Sequence, residues 1–227
     1  MDIYGKALSD FYNNRPHKTL WINNTYGEPE EMPIEVFFRG QEEMPEIELL
    51  ALKKCRGKIL DIGAGAGSHA LILQQSGFDV SALELSGTAC HIMEKRGVKK
   101  IINSNIFEFG SQKFDTLLLL MNGIGLSRTI NGLKAFLNHA RTLLNEGGQL
   151  IFDSSDITYL YDEVEMPTDR YFGELEYQYQ YDRINGDWFK WLYVDKDSLI
   201  KIAREQNWQC EILLEDDYSQ YLAQLKL

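Results

Sequence analysis

The chain has 227 residues, of which 44% are hydrophobic and 25% are charged, and its formal net charge is −11 at pH 7. A chain of this length can bury a substantial core, and its longest apolar run, 117–121, falls far short of the roughly 20 residues that a membrane-spanning helix needs. The negative charge argues against a nucleic-acid partner, because phosphate binding draws on clustered lysine and arginine.

Cysteine usage and the first residues bear on the cellular compartment. The three cysteines are far apart and form no Cys-x-x-Cys pair, so we expect neither a disulfide framework nor a metal site. No basic region followed by an apolar stretch opens the sequence, so no secretory signal is expected. These features predict a cytoplasmic protein without a membrane partner. Basic groups such as Lys95-Arg96 are interpreted as solvated surface.

Residues 1–56 are predicted to form an extension of helices and loops that covers the functional site. It begins with an aromatic, helix-compatible stretch around Tyr4, and a second helix opens at Pro45, since proline is favoured in a first helical turn. Arg39 follows two phenylalanines and is a candidate on the substrate side. His17 also lies in this segment, but a structural or surface role is favoured for it, as for the other histidines.

The middle of the chain alternates strand-like and helix-like patterns. The predicted strands cover 58–62, 79–84, 100–103, 114–121 and 149–153. The predicted helices cover 68–75, 86–96 and 129–144, and the last is stopped by Asn145-Glu146-Gly147-Gly148. Alternation at this spacing predicts a mostly parallel sheet with right-handed crossovers.

The end of the chain follows a different pattern. A helix is predicted over 197–206, and strands over 209–215 and 218–227 are joined by a tight turn at Asp216-Asp217. Two strands joined so closely must run antiparallel.

Residues 154–194 are predicted to form an inserted β-hairpin with an aromatic face. Tyr177, Tyr179 and Tyr181 alternate with polar residues, and Asn185-Gly186 is the predicted turn. Inserted after the fifth strand, the hairpin would stand over the carboxyl edge of the sheet. Its aromatic face could serve as a substrate wall or a dimer contact, and plain packing is the commoner role of such a face.

The most informative motif is a glycine-rich loop where the first predicted strand of the core meets a helix. It consists of an acid followed by alternate glycines, at Asp61, Gly63, Gly65 and Gly67. A dinucleotide-binding loop has the spacing G-x-G-x-x-G, whereas here Ser68 stands where the third glycine would be. Glu84 ends the next strand, 21 residues after Gly63, and a carboxylate there can accept hydrogen bonds from both hydroxyls of a ribose.

This pattern resembles the first motifs of the class I S-adenosylmethionine-dependent methyltransferases, which have a strand, an acid, G-x-G-x-G and then a second carboxylate. The resemblance covers roughly 57–153 and 195–227. It implies an α/β fold, a three-layer doubly wound seven-stranded mostly parallel sheet with an antiparallel C-terminal strand. The methyltransferase domain would span 57–227, with the hairpin inserted at about 154–194 and the extension ahead of it.

The resemblance also implies roles for individual residues. The glycines would contact the methionine part of S-adenosylmethionine, Asp61 would favour its ammonium group and Glu84 its ribose. Further cofactor contacts would come from Leu85, Asn105, Ile106 and Met121. Asn105 stands where the family often has an aspartate, so it would accept from the adenine without charge assistance. The candidates on the substrate side are Asn122, Asp156 and Arg39.

The sequence thus predicts methyl transfer to a small molecule, with a protein acceptor as the second choice and S-adenosylhomocysteine as the product. Base-methylating relatives have an Asp/Asn-Pro-Pro-aromatic motif, but here Asn122 is followed by Gly-Ile-Gly. The alternatives are an NAD(P)-dependent oxidoreductase, which the glycine spacing disfavours, and a non-catalytic S-adenosylmethionine-binding module. No general base is evident, since Asp153 and Asp156 are equally well explained as caps. The acceptor atom and the oligomeric state, including a homodimer, are left open.

Overall fold

The computed structural model describes residues 1–16 and 18–227, so the role predicted for His17 lies outside the described residues. The helices are α1 (Ile3–Tyr12), α2 (Glu46–Lys54), α3 (Ser68–Gln75), α4 (Gly87–Arg96), α5 (Ile130–Leu143) and α6 (Lys196–Glu205). The strands are β1 (Leu20–Asn24), β2 (Glu30–Met32), β3 (Lys58–Ile62), β4 (Asp79–Glu84), β5 (Ile101–Asn103), β6 (Phe114–Leu119), β7 (Leu144–Ser155), β8 (Glu174–Tyr181), β9 (Ile184–Leu192), β10 (Gln209–Glu215) and β11 (Gln220–Lys226).

The main sheet has seven strands in the order β10-β11-β7-β6-β3-β4-β5. The pairs β4–β5 and β6–β7 are parallel, whereas β11 runs antiparallel to both β10 and β7. The α/β fold with a seven-stranded mostly parallel sheet and an antiparallel C-terminal strand is therefore confirmed. Among the described residues, no helix combines the length and the apolar character needed to cross a bilayer.

A second sheet has four strands in the order β2-β1-β8-β9. The extension supplies β1 and β2, beyond the helices and loops predicted for it. β1 pairs antiparallel with β8, with Trp21 opposite Gln180 and Asn24 opposite Tyr177. The inserted hairpin is thus part of a larger antiparallel sheet.

The predicted hairpin turn at Asn185-Gly186 is wrong, because both residues belong to β9. The chain turns instead at Asp182 and Arg183, whose φ angles of 49° and 65° match the left-handed pair of a two-residue hairpin turn. A Cβ on Gly186 would lie 3.3 Å from Cγ1 of Ile3, so this glycine allows close packing against α1.

The predicted start of the next strand at Gln149 also needs correction. α5 ends at Leu143, and β7 begins directly at Leu144 and includes residues 145–148. Gly147 has a φ of +69°, and the register between β6 and β7 shifts between the pairs of Phe114 and Thr116. The glycines thus create an irregularity in a long strand rather than a separate loop.

The chain divides into two compact units. The first unit comprises Met1–Met44, Leu60–Phe109 and Glu176–Phe189. Its core includes fully or nearly fully buried side chains from α1, β1, the glycine-rich loop, α4 and β8, among them Leu8, Leu20, Ala66, Ile92 and Tyr181.

The second unit comprises Pro45–Ile59, Gly110–Leu175 and Lys190–Leu227. Its largest fully buried side chains include Phe114 of β6 and Tyr221 of β11. Burying aromatic side chains of this size is a large part of the hydrophobic free energy of a core.

Candidate functional site

In the first unit, the glycine-rich loop connects β3 to α3. Gly63, Gly65 and Gly67 have φ angles of +74°, +56° and +87°, a left-handed conformation that disfavours any residue with a side chain. A Cβ on Gly63 would meet nothing within 4 Å, so this part of the loop borders open space. A Cβ on Gly67 would lie 2.9 Å from side-chain atoms of both Met93 and Val98. The third glycine is therefore required by packing against α4, whereas the first leaves room for a ligand.

Glu84, at the carboxyl end of β4, is buried beside this loop. Its Oε2 accepts from the backbone N–H of Gly65 and its Oε1 from that of Ser86, both at 2.9 Å. Burial raises the pKa of the Glu84 carboxyl above its ordinary value, and these backbone bonds oppose that rise. Each carboxylate oxygen keeps accepting capacity for a further donor, such as a ribose hydroxyl.

The side chain of Asn103 holds the end of β4 in place. The side-chain amide of Asn103 donates to the backbone carbonyls of Glu84 and Leu85 at 2.9 and 3.0 Å. Leu85 is 71% exposed, so an apolar surface is available directly after the carboxylate. The Asn103 contact was not predicted, because a polar residue at the end of a short strand gives no sign of its partner.

Asp61, in β3, is buried with its Oδ2 lacking a hydrogen-bond partner among the described residues. Burial raises the pKa of this carboxyl to about 6, while the proximity of His69 and a hydrogen bond from the backbone of Ala70 act in the opposite direction. A buried carboxylate oxygen without a partner is costly, and a bound cation would offset that cost.

The predicted adenine contacts lie after β5. Oδ1 of Asn105 accepts from the backbone N–H of Phe107 at 3.1 Å and so caps a short helical turn over Ile106–Glu108. Ile106 is buried in this turn, whereas Phe107 is 41% exposed. The amide oxygen of Asn105 is thus partly engaged within the chain, and its contact with adenine stays a prediction.

In the second unit, Met121 and Asn122 follow β6, and both adopt the left-handed conformation, with φ angles of 60° and 53°. The backbone N–H of Asn122 donates to Oδ2 of Asp153 at 2.9 Å, and its Oδ1 accepts from the hydroxyl of Ser154 at 3.0 Å. Its Nδ2 donates to the carbonyl of Leu192 at 3.4 Å. Asn122 therefore shapes this loop, and the roles predicted for it and for Met121 stay predictions.

Asp153 is the buried carboxylate that supports this loop. Its Oδ2 also accepts from Nε2 of Gln220 at 2.7 Å, but its Oδ1 lacks a partner among the described residues. Burial raises the pKa of Asp153 from 3.8 to about 6, although the bonds from Asn122 and Gln220 oppose the rise.

Replacing Asp153 with asparagine is expected to change how stability depends on pH. Since folding raises the pKa of Asp153, its stabilising contribution is complete below about pH 4 and is lost as the pH rises through about 6. Asparagine stays neutral, so the free energy of unfolding of Asp153→Asn should rise relative to wild type by up to about 3 kcal/mol from pH 4 to pH 7. Urea unfolding at several pH values measures this difference. Parallel wild-type and variant profiles would contradict the assignment.

The other two substrate-side candidates lie in different units. Asp156 is in the second unit, where its Oδ1 accepts from the backbone N–H of Thr158 at 2.9 Å and caps a turn. Arg39 is in the first unit, shortly after a helical turn over Ile34–Phe37, and is partly exposed. Their proposed contact with a substrate stays a prediction.

Arg96, at the end of α4, supports the glycine-rich loop instead of lying in solvent as predicted. Its guanidinium is half-buried and donates to the backbone carbonyls of Ala66 at 2.7 Å and Phe38 at 3.3 Å. It also lies over the ring of Phe38, 5.1 Å from the centroid. A basic residue in the last turn of a helix is usually solvated, so only the folded structure shows this contact.

A family model described as a methyltransferase domain matches residues 39–212. The chain is similar to a solved S-adenosylmethionine-dependent methyltransferase from Bacteroides fragilis in complex with S-adenosyl-L-homocysteine. The identity is 37% and the TM-score 0.90, covering 99% of this chain and 94% of that one.

Two more distant structures share the fold. The CcbJ methyltransferase from Streptomyces caelestis is 13% identical with a TM-score of 0.66, covering 98% of this chain and 97% of that one. A sugar N-methyltransferase from a Streptoalloteichus species is 15% identical with a TM-score of 0.59, covering 88% of this chain and 96% of that one. No match was found among curated proteins.

Proposed function

Because the chain belongs to the S-adenosylmethionine-dependent methyltransferases, we propose that it transfers a methyl group from this cofactor to a small-molecule acceptor. One observation carries the assignment of the cofactor site. The Glu84 carboxylate is hydrogen-bonded to Gly65 in a loop that borders open space at Gly63. The family match favours this activity over the NAD(P)-dependent oxidoreductase and the non-catalytic binding module.

The residues of the first unit fit the chemical groups of the cofactor. Glu84 offers two acceptor oxygens for the ribose hydroxyls, and Asp61 offers a carboxylate oxygen without a partner for the ammonium group. The space beside Gly63 suits the methionine chain, which any side chain there would exclude. The adenine would contact the side chain of Leu85 and the turn formed by Asn105 and Ile106.

Positioning is the main contribution that we propose for these residues. When bound, S-adenosylmethionine supplies a methyl group on a positively charged sulfur, which leaves as a neutral thioether. Displacement at that methyl requires the acceptor atom, the methyl carbon and the sulfur to be in line, so a fixed cofactor orientation lowers the barrier. Glu84, which accepts a hydrogen bond from Gly65, would hold the ribose end of the cofactor in that orientation.

A small molecule is the acceptor class that the sequence and charge favour. The chain carries a net charge of −11, which disfavours a polyanionic acceptor, and Asn122 is followed by Gly-Ile-Gly instead of the base-recognition motif. A neutral amine acceptor would need no dedicated base, whereas most alcohols would.

Calorimetric titration followed by a transfer screen tests this proposal. The folded protein should bind S-adenosylmethionine and S-adenosylhomocysteine but not NADH. Methyl-labelled cofactor, incubated with a panel of metabolite amines, alcohols and thiols or with an extract of proteins, should then label a small molecule. Binding of NADH alone would contradict the cofactor, and label found only in acid-precipitated protein would contradict the acceptor class.

A further inference from the structure

Tyr4, in α1, places its phenol against the glycine-rich loop. A Cβ built on Gly65 would lie only 2.9 Å from the Tyr4 hydroxyl oxygen. The ring meets Phe37 edge-on, with centroids 5.2 Å apart, and stacks on Tyr179 at 5.8 Å. The hydroxyl is therefore held at the one loop position that also donates to Glu84.

Hydrogen bonds at the start of α1 fix this placement. Oδ1 of Asp2 accepts from the backbone N–H of Gly5 at 2.7 Å and caps the helix. Oδ2 of Asp2 accepts from the hydroxyl of Ser86 at 2.5 Å, two residues after Glu84. The helix that carries Tyr4 is thus tied directly to the chain beside the proposed ribose contact.

Most backbone donors of the loop are already engaged. The N–H groups of Gly63 and Ala64 both donate to the carbonyl of Leu83, at 2.8 and 3.1 Å. The N–H of Gly65 donates to Glu84, and that of Gly67 donates to the carbonyl of Ala64 at 2.8 Å. Four of the five loop amides thus have internal acceptors, so a donor from outside the loop would add to the little that the loop offers an anionic group.

The Tyr4 phenol has the character of such a donor. Burial, and then the nearby carboxylates of Glu84 and Asp2, raise the pKa of Tyr4 well above its ordinary value. The phenol therefore keeps its proton at neutral pH and can donate to an anion.

We propose that the Tyr4 hydroxyl donates a hydrogen bond to the methionine carboxylate of the bound cofactor, so that the N-terminal extension completes the cofactor site. This inference rests on the proposed function, which places the methionine part in the open space beside Gly63, two residues before Gly65. It assigns the extension a direct binding role beyond covering the loop.

Substitution of Tyr4 by phenylalanine tests the inference with two ligands. S-adenosylhomocysteine carries the carboxylate, whereas 5′-deoxy-5′-methylthioadenosine lacks the whole amino-acid part. Calorimetry should show that Tyr4→Phe raises the Kd of S-adenosylhomocysteine about tenfold, as expected for one hydrogen bond to a charged group, and leaves that of methylthioadenosine unchanged. The thermal unfolding midpoint should stay near that of wild type, because phenylalanine keeps the ring contacts with Phe37 and Tyr179.

Tyr12 provides a matched control on the same helix. Its ring stacks on Phe38 with centroids 6.2 Å apart, so Tyr12→Phe also removes a phenol while keeping ring packing. This variant should bind both ligands as wild type does. Equal weakening of both ligands by Tyr4→Phe, or no weakening of either, would overturn the inference. Failure of the wild-type protein to bind S-adenosylhomocysteine would instead overturn the proposed function on which it rests.

Discussion

Replacing Gly63 with alanine is expected to weaken S-adenosylhomocysteine binding on the order of 30-fold, as an added methyl group in a close-packed site costs about 2 kcal/mol. The structure itself leaves space for this methyl group, since a Cβ on Gly63 would meet nothing within 4 Å. The space would instead be occupied by the bound cofactor. The substitution of Gly63 therefore separates a loss of binding from a loss of packing. Substitutions of Gly65 or Gly67 cannot separate the two, because a Cβ at these positions would contact Tyr4 or Met93.

Gly77 supplies the control for this prediction. It lies between α3 and β4 with a φ of +89°, and a Cβ there would also meet nothing within 4 Å. Gly63→Ala and Gly77→Ala should thus lose similar stability, about 1–2 kcal/mol each for a left-handed alanine. Denaturant unfolding measures that cost, and calorimetry should show normal affinity in Gly77→Ala alone. Equal affinity in the two variants would contradict a cofactor beside Gly63.

The elements around the glycine-rich loop could be predicted to the residue. Strands 58–62 and 79–84 and helix 68–75 have the predicted bounds in the structure. Their signals are local, since buried apolar runs form strands and the glycines with positive φ mark the connection between them. The carboxyl ends of parallel strands lie at the same edge of a sheet. The sequence could therefore place Glu84, at the end of its strand, beside the glycine-rich loop.

The second sheet could not be predicted, because its pairing joins distant segments. Trp21 pairs with Gln180, and β1 has the mixed sequence Leu-Trp-Ile-Asn-Asn, which gives no clean alternation of apolar and polar residues. The turn prediction failed for a related reason. The Asn185-Gly186 pair has strong local turn propensity, but Gly186 is used where β9 packs closely on Ile3.

Polar candidates show another limit of sequence reasoning. The sequence predicts ligand contacts for Asn105, Asn122 and Asp156 from their positions, but each uses a side-chain oxygen for a hydrogen bond within the chain. Asparagine and aspartate commonly satisfy nearby backbone groups, so residue type alone does not separate a cap from a ligand contact. Conversely, the loop contacts of Arg96 and Tyr4 depend on tertiary packing and have no sequence signature.

Replacing Glu84 with glutamine is expected to weaken S-adenosylhomocysteine binding by about 100-fold, because a bond to a charged acceptor is lost and a buried donor is left unpaired. Both carboxylate oxygens accept from backbone N–H groups, those of Gly65 and Ser86. Glutamine has one oxygen, so its NH₂ group must face one of these two donors. The variant should also be less stable by about 1–3 kcal/mol, the cost of an unsatisfied buried donor.

An analogue of S-adenosylhomocysteine without the 2′ and 3′ hydroxyls separates the ribose contact from the distortion of the loop. Wild type should bind this analogue more weakly than S-adenosylhomocysteine, whereas Glu84→Gln should discriminate much less between the two. Glu94→Gln, at a side chain that is 74% exposed on α4, is the control and should bind both ligands as wild type does. If Glu84→Gln lost the same factor for both ligands, Glu84 would act only by holding Gly65 and Ser86. Because its oxygens hold the loop and would also accept from the ribose, we expect the variant to lose both discrimination and stability.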